Sequence, residues 1–186
     1  MSSEPYILAG TNPPRDWETG PTDVFEKWLA SKWDDTFLGM PITDIQWAQP
    51  YSGDRDIAIH FERINSFPSD DSLGDIYENE DIYIQIHIFA RSIYQKYYNA
   101  TTGKKSSEFY LDLFEKWIRK SIKINKFELA DEGFLHFQII DTRDIPINSN
   151  YNAELPRDEF DYHEDEVKRR VMLLEVRVQH IHVDLA

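Results

Sequence analysis

The chain has 186 residues, 41% of them hydrophobic, enough for one domain with a real core. It has no cysteine, which excludes disulfides, thiolate catalysis and cysteine metal sites and fits a reducing cytoplasm. With 34 acidic against 20 basic side chains the formal charge is -14, and such a surface argues against general phosphate or nucleic-acid binding. Aromatic residues make up 14% of the chain, so a ring-rich core or interface is expected.

Residues 1–21 contain Pro5, Pro13 and Pro14 without helical or strand period and read as an N-terminal arm, followed by a single domain over 22–186. The opening lacks a basic stretch followed by a long apolar run, and no run approaches about 18 apolar residues, so neither a signal peptide nor a membrane span is expected. A soluble protein follows. Thr22 is placed to cap a helix over Asp23–Leu38, with Phe25, Trp28, Leu29 and Trp33 at helical spacing and Gly39 and Pro41 as the stop. The tryptophan stripe should pack on a sheet.

Ile42–Gln49 reads as a first strand, and Pro50, Ser52 and Gly53 turn it into a second, Arg55–Ile64, as a hairpin. A polar loop from Ser66 to Glu80 leads into Asp81–Arg91, DIYIQIHIFAR, which alternates strictly. Ile82, Ile84, Ile86 and Ile88 take one face of that strand, and Tyr83, Gln85, His87 and Phe89 take the other. Three strands in succession suggest an antiparallel meander with this strand near the centre of the sheet.

Tyr94–Gly103 is irregular or briefly helical. Ser106 or Ser107 then opens the best helix of the chain, with Tyr110, Leu113, Phe114, Trp117, Ile118 and Ile122 on one face and Arg119, Lys120 and Lys123 suited to its negative end. Phe134–Asp141 alternates as a fourth strand, with Leu135, Phe137 and Ile139 opposite Phe134, His136 and Gln138. Residues 142–166 form a long acidic loop whose RDEFDYHEDE block has six acids in ten residues. Val167–Val183 is a closing strand, long enough to project past the sheet or to form an edge. The sum is an α+β domain: a mostly antiparallel sheet of about five strands with two amphipathic helices packed on one face.

Chemical signatures are sparse. His180 and His182 share a strand face and His60, His87 and His136 also lie in strands, yet two histidines do not make a metal site, and strand histidines most often sit in hydrogen bonds or at the surface. The acidic block from Asp158 to Glu166 lacks the glycine of a calcium loop. No nucleophile elbow or phosphate-binding glycine loop is present. The expectation is therefore a protein that is not an enzyme and carries no cofactor or metal. The alternatives are a hydrolase with a carboxylate or histidine site, which would need a deep pocket grouping His60, His87, His136 or His180 with acids, and a protein-binding module of a cellular complex.

The helix Val24–Leu38, the strand DIYIQIHIFAR, the helix EFYLDLFEKWIRKSI and the closing strand LLEVRVQHIHV lie in an order that resembles the tail-terminator and tail-completion proteins of tailed viruses, over Thr22–Val183. The resemblance is one of layout. It implies a virion structural protein, assembled in the host cytoplasm, that forms a homo-oligomeric ring, commonly a hexamer, between the tail tube and the connector. DNA would be passing cargo in an acidic channel that does not hold phosphates. Candidate subunit-interface residues are Tyr83, His87 and Phe89 on the open strand face, Tyr151, Phe160 and Tyr162 in the long loop, and Lys168, Arg169 and Arg170, whose charges oppose the acidic block.

Overall fold

Side chains alternate along a strand, so the four isoleucines of DIYIQIHIFAR are presented to one side together. In the computed structural model, which describes residues 20–69, 77–91, 107–145 and 167–181, all four are fully buried at the centre of the molecule. Burial of each contributes about 1.5–3 kcal/mol. They belong to β3 (Tyr77–Ala90), the middle strand of a five-stranded sheet. The others are β1 (Gln46–Trp47), β2 (Ile57–Ser69), β4 (Phe134–Ile145) and β5 (Lys168–Ile181), in the order β1-β2-β3-β5-β4. All pairings are antiparallel except β1 with β2.

The helices cover the isoleucine face. Helix α1 (Pro21–Ser31) buries Val24, Phe25, Trp28 and Leu29, and α3 (Ser107–Ile124) buries Tyr110, Leu111, Phe114, Trp117, Ile118 and Ile122, each set at helical spacing. Ile57, Ile59 and Phe61 of β2 and Met172, Leu174, Val176 and Val178 of β5 complete the same core. The protein is thus α+β with a five-stranded, mostly antiparallel sheet, and a short α2 (Asp35–Leu38) and α4 (Lys126–Asp131) accompany the two main helices.

Several sequence expectations are corrected. The helix over Asp23–Leu38 is two helices, because Asp34 captures the Phe37 amide (2.9 Å) and starts α2 as a new N-cap. The break turns Trp33 inward, where its indole donates to the Met40 carbonyl (3.0 Å), and frees the Lys32 carbonyl to accept from the Trp117 indole (3.1 Å). Gly39 then stops α2 in the left-handed region, φ 72°. Pro21 at the first turn, not Thr22 as a cap, begins α1 after Gly20.

The expected hairpin of Ile42–Gln49 with the next strand does not form. Ile42–Asp44 is a 3-10 turn, and β1 keeps only Gln46 and Trp47, which pair in parallel with Ala58 and Ile59. Ala48 adopts φ 61°, ending the strand, and the Gln46 side chain receives the Ser52 amide (3.2 Å) and donates to the Pro50 carbonyl (2.5 Å), folding the connection back. The meander is therefore one antiparallel hairpin, β2–β3, and it continues into the expected polar loop, where Ser69 pairs with Asn79. Backbone pairing does not require apolar side chains, so the composition of 66–80 concealed it.

β5 is an interior strand between β3 and β4, not an edge. Its partner β4 runs to Ile145, taking the first residues of the expected 142–166 loop into the sheet, and register shifts near Leu135 and Ile140 place Phe134, Phe137 and Ile139 together on the core side. The expected arm ends at Gly20, since Pro21 opens α1, and the remainder of the 142–166 loop, residues 1–19 and the Tyr94–Gly103 segment lie outside the described residues.

Candidate functional site

Away from the helices, the sheet carries the second face of β3. Cross-strand pairing places Ala58, His60 and Glu62 of β2 and Arg169, Val171 and Leu173 of β5 beside Phe89, His87 and Gln85. Tyr51 stacks on Phe89 (4.8 Å between centroids, 7° between planes), and the Arg169 guanidinium lies 5.6 Å from the same ring. Arg169 also donates to His87 Nδ1 from Nε (3.1 Å) and a terminal nitrogen (2.5 Å).

Arginine only donates, so Nδ1 must offer its lone pair and the proton of a neutral His87 sits on Nε2. That nitrogen lies 3.3 Å from Glu62 Oε2 without hydrogen-bond alignment. Burial, reinforced by the charges of Arg169 and His60, holds the His87 pKa down at about 4. His60, whose ring centroid is 5.8 Å away, is lowered too, chiefly by burial. His87 and Phe89 are each only 3% exposed, so same-chain groups cover the half of the face that the sequence reading offered to a neighbour.

Farther along the strand the face opens. Tyr83 and Gln85 are half-buried, the Tyr83 hydroxyl reaches Glu175 (3.3 Å), and Arg177 grips Asp81 through two bonds (2.7 and 2.9 Å). The negative charge of Glu175 raises the Tyr83 pKa.

The basic triplet is not one patch. Strand alternation sends Arg169 to the open face and Lys168 and Arg170 to the helix side. There Lys168 meets Glu108 (2.6 Å), and Arg170 binds Asp144 through two bonds (2.7 and 3.2 Å), Asp112 (2.6 Å) and Glu115 (3.0 Å). The Asp144 hydrogen bond leads in raising the Arg170 pKa and in lowering that of Asp144 itself. These cations are thus engaged within the chain, tying β5 to β4 and α3. Tyr151, Phe160 and Tyr162 lie outside the described residues.

The histidines are brought together only in part. His60 and His87 are cross-strand neighbours, whereas His136 pairs with Arg177 on the far side of β5, and the His180 side chain is outside what is described. No group of three His, Asp or Glu residues fit to hold a metal occurs among the described residues. A groove of about 550 Å³ lies elsewhere, lined by Val24, Trp28 and Ser31 of α1 and Glu128 and Asp131 of α4.

Sequence reasoning missed one surface. Ile124 and Phe127 are 62% and 69% exposed at the end of α3 and start of α4, with Phe37 of α2 also exposed. The sequence carried no clear signal, because Ile124 follows Trp117 at helical spacing and is exposed only as the last residue of α3, while Phe127 belongs to the separate α4. No helix among the described residues is long and apolar enough to cross a membrane. No protein-family model matches the chain, and a search of curated proteins finds no match.

Proposed function

We propose that this chain is a structural protein of a tailed virus, a ring-forming adaptor that terminates the tail tube or joins tail to head. The layout carries the reading. One helical layer, an antiparallel hairpin with the isoleucine strand at the sheet centre, a long amphipathic helix and two closing strands follow one another in the order of the proteins the sequence resembles. The way the charged groups are used supports a building block more than a reaction centre. His87 accepts from Arg169, and Arg170 is held among four carboxylates, so both serve to fix elements of the chain to one another.

In this reading the partners are other copies in a hexameric ring, the tail-tube protein and the connector. The acidic chain lines a passage through which DNA slides without sticking. Assembly takes place in the host cytoplasm and the product resides in the virion. Native mass spectrometry and electron microscopy of the purified chain, alone and with the tail-tube protein, test it. A closed ring is expected, and a monomer under both conditions defeats the reading. The exposed apolar surface beside α4 also suits a protein-binding module of a cellular complex. A gene lying among cellular genes and not virion genes would favour that second reading.

A further inference from the structure

In a chain whose acids outnumber its bases 34 to 20, a lysine without a carboxylate beside it is conspicuous. Lys120, Lys123 and Lys126 are all exposed at the C-terminal end of α3 and the start of α4, and none is ion-paired among the described residues. Lys120 instead lies over the Phe37 ring (4.8 Å) and Lys126 over Phe127 (5.5 Å). The exposed Phe37, Ile124 and Phe127 therefore sit within a cationic frame. Large apolar side chains left in water beside unpaired cations fit an acidic protein surface with an apolar anchor. The net charge of -14 on the chain favours protein over nucleic acid as the partner.

The opposite end of the same helix has the complementary character. Phe109 is 39% exposed there, beside Glu108 and Asp112, and the carboxylates of Glu108, Asp112, Glu115 and Asp144 outnumber the cations Lys168, Arg170 and Arg119 that they meet. The two ends are about 27 Å apart for an 18-residue helix. They are thus separate surfaces, one acidic with a phenylalanine and one basic with apolar anchors. Resting on the ring reading above, the geometry points to a head-to-tail contact between copies. In it, Phe109 and Glu108 of one copy dock on Phe127, Ile124, Lys120 and Lys123 of the next. A contact between unlike surfaces propagates around a closed ring, and the helix dipoles align favourably across it.

The test is sedimentation velocity of the full chain with variants at each end. Lys123→Glu with Phe127→Ser alters the basic end, and Phe109→Ser alters the acidic end while leaving the ion pairs of Glu108 with Lys168 and Arg170 in place. Each should raise the concentration needed for assembly by about tenfold or more, as loss of an anchor does, with circular dichroism and melting temperature unchanged. Mixing the two variants should restore one contact and give dimers only. Should either variant fold poorly, Lys120→Gln with Lys123→Gln reads the same effect at smaller size. A ring that forms equally well in all variants overturns this contact and leaves the ring reading standing. A wild-type chain that stays monomeric, alone and with tail-tube protein, overturns both. Variants that lose tail-tube binding but keep self-association assign the basic end to that partner and overturn the contact between copies.

Discussion

His87 is a buried imidazole that the fold keeps neutral. Its Nδ1 accepts from Arg169, and a proton there would abolish that bond and place two cations together. Its folded pKa of about 4 lies below the ordinary 6.5, so the unfolded chain takes up a proton that the folded chain refuses. Stability from this group is complete above about pH 6.5 and is lost as pH falls toward 4, at up to about 1.4 kcal/mol per pH unit. Urea unfolding midpoints between pH 7 and 4.5 should show that slope, and His87→Gln should flatten it. Arg170, 11% exposed on its side chain, presents the reverse case, since its removal leaves carboxylates facing one another. Arg170→Met should cost about 2–3 kcal/mol in chemical denaturation, less than for a fully buried pair because Asp112 and Asp144 reach solvent. None of this was legible beforehand, because a run of Lys168, Arg169 and Arg170 looks like one basic patch until alternation divides it.

Elements were legible where the side-chain period is long and clean. β3, α3 and β5 carry it for many residues, and each lies where the pattern of isoleucine, aromatic and valine positions put it. Short elements fixed by one polar contact escaped. The Asp34 cap that divides the first helix and the Gln46 bridge that folds the chain back after β1 are single side-chain choices with no periodic trace. Gly39 shows how local such control is. Its φ of 72° suits glycine, and an added Cβ would meet nothing within 4 Å, so Gly39→Ala should cost only the backbone term, about 1 kcal/mol, read from thermal or urea melts. Core substitution acts on a different scale. Ile86→Ala on the central strand should cost about 2–5 kcal/mol in the same measurement.

At the scale of the whole molecule, the sheet grades from a doubly paired centre to lightly held margins. β3 and β5 are paired on both sides, whereas β1 is held through two residues. Hydrogen exchange should accordingly be slowest in β3 and β5, with β1 amides exchanging through opening far short of global unfolding. The α+β architecture was readable because it follows from hydrophobic period alone. The open face was not, since its cover by Tyr51 and Arg169 comes from residues distant in the chain that no local pattern couples.

The lysines at the end of α3 have a further consequence, in time and not in affinity. They place unpaired cations on a strongly anionic chain, so in the proposed contact a copy approaching through dilute salt is turned before it touches. In that proposed contact, added salt shortens the reach of the charges while leaving the packing of Phe127 and Ile124 nearly unaffected. Stopped-flow mixing should therefore show encounter slowing steeply with ionic strength while the lifetime of the assembled species barely changes.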